Sequence, residues 1–350
     1  MALFDDMLKG DESLFKDEGS LDFDYLPVLL PYRESQQGYI AETIKPLVKG
    51  RQGKSLFIHG APGIGKTSCV RFVFRELRET TDKVMPIYVN CWKKGTSNAV
   101  FTEIANQLGE VGVHYKTNEE LLAKIEKGVG RYSGIVVAFD EIDKAKDYDF
   151  LYQTFENCKN LSMFLITNNS GFLANIDPRV RSRLILEEIK FEPYKRHETE
   201  GILRERMEMA FVPRIWGEEA FELIVEKAHN AGDIRIGLFL LRESGREAES
   251  AGSKKIKVEH AMKAIQKLVD FRINNLDELN GREKLVFSII KEEQGIETGA
   301  ILQRLKEKSI ETPESTLRRM LQKLDKSGYI FREDATIGGK GKTMKHYVDE

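Results

Sequence analysis

Eight consecutive residues, Gly60-Ala61-Pro62-Gly63-Ile64-Gly65-Lys66-Thr67, fit GxxxxGK[ST] at every fixed position. That pattern holds phosphate. Its glycines let backbone N–H groups close around an anion with no Cβ in the way. A helix starting at Lys66 adds the partial positive charge of its N-terminus, and Ser68 and Cys69 continue the binding turn into that helix. Lys66 supplies a point charge for the β- and γ-phosphates of a nucleotide, and the Thr67 hydroxyl is suited to ligate Mg²⁺. A second cluster matches the first. The apolar run Ile135–Phe139 ends in Asp140-Glu141. At a strand's carboxyl end Asp140 would face the water shell of the Mg²⁺, and Glu141 would polarise an attacking water. Met163–Ile166 leads to Thr167-Asn168, where Asn168 could orient that water. In Gly232-Asp233-Ile234-Arg235, Asp233 is a good N-cap, and Arg235 sits in a first turn whose dipole disfavours cations. An arginine placed against local preference suggests a partner, and the γ-phosphate is a candidate.

These residues need a sheet to carry them. Leu56–His59, Val84–Val89, Gly134–Phe139 and Met163–Thr167 read as buried strands. Helical spacing appears over residues 66–78, 99–108 and 119–127. Strands alternating with helices imply an α/β fold with a parallel sheet. After Phe191 the strands stop. Glu198–Met209, Glu218–Asn230, Ile234–Ala248 and Val258–Phe271 read as a block of four helices. Residues 272–281 read as a linker.

A third unit covers residues 282–350 and reads as helix, helix, turn, helix and a two-stranded hairpin, the order of a winged helix. Thr312-Pro313 starts its third helix, with Thr as N-cap and Pro at the first helical position. That helix carries Ser315, Thr316, Arg318, Arg319 and Lys323 around an apolar stripe of Leu317, Met320, Leu321 and Leu324. These are suitable side chains for a helix in a DNA major groove. From Ala335 to Tyr347 the hairpin holds Lys340, Lys342 and Lys345 and no acid, which suits backbone contact.

Composition limits the alternatives. The 350 residues are 41% apolar and 31% charged, enough to bury more than one core. With 54 basic against 56 acidic residues the net charge is −2, so nucleic-acid binding must come from local patches. Residues 1–24 carry eight acids against Lys9 and Lys16 and read as a mobile or loosely docked arm. Cys69, Cys91 and Cys158 lie far apart, which supports neither a disulfide framework nor a zinc site. With no secretory stretch and no apolar run of ~18 residues, the expected location is cytoplasmic and nucleoid-associated, with no membrane partner.

The order of these parts resembles the AAA+ class of ATPases. More narrowly, the chain resembles the archaeal origin-recognition complex and cell-division-cycle-six type of replication initiator. The narrower likeness rests on Leu30-Pro-Tyr-Arg33-Glu34, Val89-Asn90-Cys91 with Thr96, Asp177-Pro-Arg179-Val-Arg181-Ser-Arg183, Phe191-Glu-Pro-Tyr194 with Arg206, and Gly232–Arg235 running on to Leu240-Leu-Arg242. It implies an AAA+ P-loop domain at 25–191 with a helical insertion near 90–118, an all-α lid at 192–271 and a winged-helix DNA-binding domain at 282–350. It implies that Tyr194 lies near the base and Arg206 near the phosphates. It makes Arg183, Arg181 or Arg179 an arginine finger and puts Lys93 and Lys94 against DNA. The function implied is slow ATP hydrolysis in an ATP/ADP switch with Mg²⁺. That switch would recognise replication-origin duplex DNA and help load the replicative helicase, alongside other initiator paralogues. A second reading is a P-loop ATPase regulator whose winged helix binds promoters or proteins. A third is a clamp-loader or branch-migration motor.

Overall fold

Alternate side chains of a strand face opposite ways, so a strand that is apolar throughout must be covered on both sides. β1 (Ser55–His59), β3 (Gly134–Asp140) and β4 (Leu161–Thr167) are buried at every position. With β2 (Val84–Asn90) and β5 (Leu186–Lys190) they form a parallel sheet in the order β2-β3-β4-β1-β5. The computed structural model describes residues 13–176, 178–274, 281–308, 310–326, 330–336 and 342–347. Contacts divide the chain into two compact units. One is Asp17–Ala210 with Val225–Leu238; the other is Met1–Lys16 with Phe211–Ile224 and Phe239–Glu350.

The sheet belongs to the first unit. One face, with Leu56, Ile58, Val136, Ala138, Phe164 and Ile166, packs on α1 (Glu34–Val48) and α2 (Lys66–Thr80). The other, with Phe57, Ile135, Val137, Phe139, Met163 and Leu165, packs on α3 (Ser97–Gln107), α4 (Asn118–Val129), α5 (Asp149–Asn157) and α6 (Pro178–Leu184). Each fully buried Phe or Ile in these layers contributes ~1.5–3 kcal/mol of apolar transfer. β5 was not among the expected strands. Its sequence, LEEIK, is charged because it is an edge strand, half-covered and half-exposed.

The four helices expected after Phe191 are α7 (Arg196–Ala210), α8 (Glu218–Ala231), α9 (Ile234–Ser250) and α10 (Val258–Asn274). Residues 13–24 correct the expectation of a loose arm; residues 1–12 lie outside the described ones. Within the second unit the Leu14 N–H and the Ser13 hydroxyl donate to the Glu249 carboxylate, and the rings of Phe15 and Phe211 stand 4.6 Å apart. Within the first, Leu21 is fully buried and the Asp17 N–H donates to the Ala210 carbonyl. Leu14 and Leu21 are buried, while Asp17, Asp22 and Asp24 face solvent together with Phe23.

The second unit also holds α11 (Gly281–Glu292), β6 (Ile296–Glu297), α12 (Thr298–Glu307), α13 (Glu314–Lys326), β7 (Phe331–Thr336) and β8 (Lys342–Tyr347). Val286, Phe287, Ile290, Ile301, Leu305, Leu317, Leu321 and Leu324 close a core of their own. The sheet has three strands, β6-β8-β7, rather than the expected two. β6 is only two residues long, too short to show a pattern. Among the described residues no helix is long and apolar enough to cross a membrane.

Candidate nucleotide-binding site

The carboxyl ends of β1, β3 and β4 converge on a cleft of about 310 Å³ that lies wholly within the first unit. The loop after β1 has φ of +150° at Gly60, +70° at Gly63 and +87° at Gly65. A side chain would not fit there. A Cβ at Gly60 would lie 2.4 Å from the Phe191 carbonyl oxygen, and one at Gly63 would lie 1.8 Å from Asp233 Oδ1. The loop therefore wraps a concave surface with its backbone and delivers Lys66 as the first residue of α2.

Lys66 is buried. Its ammonium donates to the carbonyls of Gly60 (2.9 Å) and Ala61 (2.6 Å) and to Asn168 Oδ1 (2.7 Å). Burial lowers its pKa to about 8, an effect that the nearby Asp140 charge partly offsets. A buried cation held by neutral oxygens is electrostatically suited to an anion. Thr67 Oγ1 donates to Asp140 Oδ2 at 2.7 Å, and the Tyr88 hydroxyl donates to the same oxygen at 2.6 Å. The Glu141 N–H donates to Asp140 Oδ1 at 2.9 Å. Glu141 has φ of +52°, a strained value for a residue with a side chain, and this turns it out of the strand into the cleft. Burial raises its pKa and the Asp140 charge adds to the rise, while a hydrogen bond with Asn90 opposes them.

Asp233 caps α9 as expected, accepting the Arg235 N–H at 2.9 Å. The Ile234 N–H donates to the Gly63 carbonyl, which ties the start of α9 to the phosphate loop. Arg235 lines the cleft, and its guanidinium is paired with the Asp233 carboxylate at 2.5 Å.

Several expectations change. Cys69 does not line the cleft. Its thiol is in the core, pushed up to about 12 by burial, and its N–H donates to Gly65 O. Arg206 lines the cleft, but its two terminal nitrogens donate to the carbonyls of Ser20 (2.7 Å) and Tyr25 (3.1 Å). It braces the 20–25 segment, of which Phe23, Asp24 and Tyr25 line the cleft. Tyr194 lines the cleft with the Arg33 guanidinium 3.8 Å from its ring centre. Arg33 also donates to the carbonyls of Ile64 and Glu192, so it joins the phosphate loop to the segment after β5. Arg33 and Asn90 fall in strings that carry the family likeness, whereas Tyr88, which also lines the cleft, has nothing in its local sequence to separate it from an ordinary strand residue.

The expected DNA contacts fall in both units. Lys94 pairs with Glu103 at 3.4 Å, and Lys93 is exposed beside Trp92, itself 68% exposed. Ser315, Arg318 and Arg319 are exposed on α13 and Thr316 is half-buried; Arg318 pairs with Glu314. Lys323 instead donates to both oxygens of the buried Glu283, at 2.8 and 2.9 Å, so it is a structural cation. Lys345 lies mid-strand in β8, in backbone register with Glu297 of β6 and Glu333 of β7. Lys342 opens β8; Lys340 and Asp177 lie outside the described residues. On α6, Arg183 pairs with Glu156 and Arg181 is exposed; neither lines the cleft, and α6 also carries Arg179.

The AAA domain family matches residues 49–174, and the Cdc6 AAA+ ATPase-type lid domain family matches residues 200–266. The ORC1-type DNA replication protein 2 of Methanothermobacter thermautotrophicus is 30% identical over 356 residues, spanning 96% of this chain and 91% of that protein. The chain belongs to the ORC1-type DNA replication protein family. The ORC1-type protein 1 of Sulfurisphaera tokodaii is 31% identical, over 95% of this chain and 89% of its own. Among solved structures, the Aeropyrum pernix ORC1 protein in complex with DNA superposes with a TM-score of 0.69 at 28% identity, covering 97% of this chain and 95% of that one. The Aeropyrum pernix ORC2 protein shares the fold at a TM-score of 0.74 and 19% identity, covering 96% and 94%. An ORC1-type protein with this cleft is an AAA+ ATPase built on a five-stranded parallel sheet.

Proposed function

We propose that this ORC1-type protein binds ATP in the cleft, hydrolyses it slowly, and uses the ATP and ADP states to control its hold on replication-origin duplex DNA. Helping to load the replicative helicase, alongside other initiator paralogues, follows from the same reading. The supporting observation is the convergence of Lys66, Thr67, Asp140, Glu141, Asn168 and Arg235 on one cleft. Lys66 and the loop N–H groups would hold the phosphates. Glu141 would accept a proton from the water that attacks the γ-phosphorus, and the bond to the ADP oxygen would break. Asn168, already bonded to Lys66, would orient that water, and Arg235 would exchange Asp233 for phosphate oxygens.

The donors fit Mg²⁺. Thr67 Oγ1 and Asp140 would hold it, directly or through water, and when bound it would supply positive charge to the phosphates. Among the described residues no cluster of three or more His, Cys, Asp or Glu is placed to cage a metal. That suits an ion which draws most of its ligands from phosphate and water.

The domain reading is an ATPase domain at 25–191, a lid at 192–271 and a winged helix at 282–350. The helical order α11, α12, α13 followed by the β7–β8 hairpin supports the last. The DNA contacts are Ser315, Thr316, Arg318, Arg319, Lys340, Lys342 and Lys345, with Lys93 and Lys94 on the ATPase domain. Arg179, Arg181 or Arg183 would act on a neighbouring copy's nucleotide. Glu141→Gln tests the chemistry. It keeps the side chain's shape and removes its basicity, so ATP affinity should stay and turnover should fall by ~10²–10⁴. Unchanged turnover removes Glu141 from the mechanism.

A further inference from the structure

Among the described residues β2 is an edge strand, so alternate residues present a backbone N–H and C=O with no neighbouring strand to pair them. At Tyr88 the side chain of Gln107, the last residue of α3, fills that role. Its Oε1 accepts the Tyr88 N–H at 3.1 Å, and its Nε2 donates to the Tyr88 carbonyl at 2.7 Å. The carboxamide thus fixes the strand at one residue. Gln107 is itself held by a hydrogen bond from Nε2 to Glu103 at 2.8 Å. The Tyr88 side chain reaches the cleft, where its hydroxyl donates to Asp140 Oδ2 at 2.6 Å, with the Arg71 guanidinium 5.9 Å from its ring centre. Burial raises the phenol's pKa and the Asp140 charge raises it further, so the group remains a proton donor.

Asp140 Oδ2 therefore accepts from Thr67 and Tyr88 together, while Oδ1 accepts the Glu141 N–H. Three donors on two oxygens set the plane of the carboxylate. Two of them come from residues already placed in the nucleotide site, and Tyr88 is the third. We infer that Tyr88 is a positioning residue for Asp140, held in place by Gln107, and that it orients the carboxylate toward the Mg²⁺ of a bound nucleotide. The inference rests on the nucleotide-site reading above.

Partners that orient a metal-facing carboxylate affect metal affinity by roughly tenfold or more. The test is to titrate Mg²⁺ into the full-length protein with a fluorescent ATP analogue, with parallel titrations in EDTA. The variants are Tyr88→Phe, which removes one hydroxyl, and Gln107→Ala, which acts from a distance. Tyr88→Phe should raise the Mg²⁺ concentration for half-maximal tightening by roughly tenfold. Gln107→Ala should raise it by about threefold, since the hydroxyl remains but its strand loosens. Affinity in EDTA should not change in either variant, whereas a merely structural role would lower both affinities together. If the wild type tightens with Mg²⁺ and Tyr88→Phe follows the same curve, the inference is overturned and the nucleotide site stands. If the wild type binds the analogue equally with and without Mg²⁺, the metal-dependent site reading itself is overturned.

Discussion

The cleft at the end of the parallel sheet and the surface of α13 both carry charged residues, but they use them differently. In the cleft, Lys66 and Asp140 are buried, and each is fixed by several short hydrogen bonds to backbone or to side chains of other segments. On α13, Arg318 is exposed and pairs with Glu314 one turn away, while Lys323 is held by Glu283 of α11. Buried charge needs a reason, because removing a charged group from water is costly unless a partner is supplied. Exposed charge does not, and a cation on a surface helix can serve DNA, an ion pair or solvent equally well. Chemistry was therefore easier to read from the first region than from the second.

The largest effect should come from breaking the cleft at its cation. Lys66→Ala should weaken ATP and ADP binding by at least ~100-fold, the loss expected for a charge-assisted phosphate contact in a buried site. The lowered pKa of Lys66, about 8, gives a pH dependence. Nucleotide phosphates bind the protonated form. Affinity should be level below pH 8 and fall above it, by up to about tenfold per pH unit. Lys66→Arg, which stays charged, should remove that alkaline decline. Nucleotide titrations between pH 6.5 and about 9.5 check both expectations.

On α13 the two cations should separate. Lys323→Ala removes both hydrogen bonds to the buried Glu283 and should cost ~1–2 kcal/mol of stability, a figure discounted because Lys323 is half-exposed. Thermal unfolding would show it as a loss of several degrees. Arg319→Ala should leave unfolding unchanged, weaken duplex DNA by ~1 kcal/mol and lower the salt slope by about one. Fluorescence anisotropy at several salt concentrations measures this. A DNA defect in Lys323→Ala at unchanged stability would reverse the assignment made to that lysine.

The sequence exposed the parts of the site that need unusual backbone or unusual chemistry. Gly60 and Gly63 are required because a Cβ would collide, so the motif cannot drift far. Asp140 ends a run of apolar residues, and Asn168 follows another, so polarity marks both strand ends. Tyr88 gave no such signal, and Arg33 and Asn90 were marked only by the family likeness of the strings around them. A tyrosine in a strand and an arginine before a helix are ordinary locally, and their roles depend on which strands and loops the topology brings together. β5 was hidden for a related reason, since an edge strand can carry Glu187, Glu188 and Lys190 without a buried pattern. Lys323 was misread because its partner Glu283 lies forty residues away on another helix.

Native mass spectrometry of the full-length protein with ADP and Mg²⁺ tests the central claim most directly. The nucleotide site at Lys66 predicts that wild type takes up one ADP per chain. Lys66→Ala, with an unchanged circular dichroism spectrum, should take up none. An equal ADP mass shift on both proteins would contradict the claim and move the nucleotide away from the loop Gly60–Thr67.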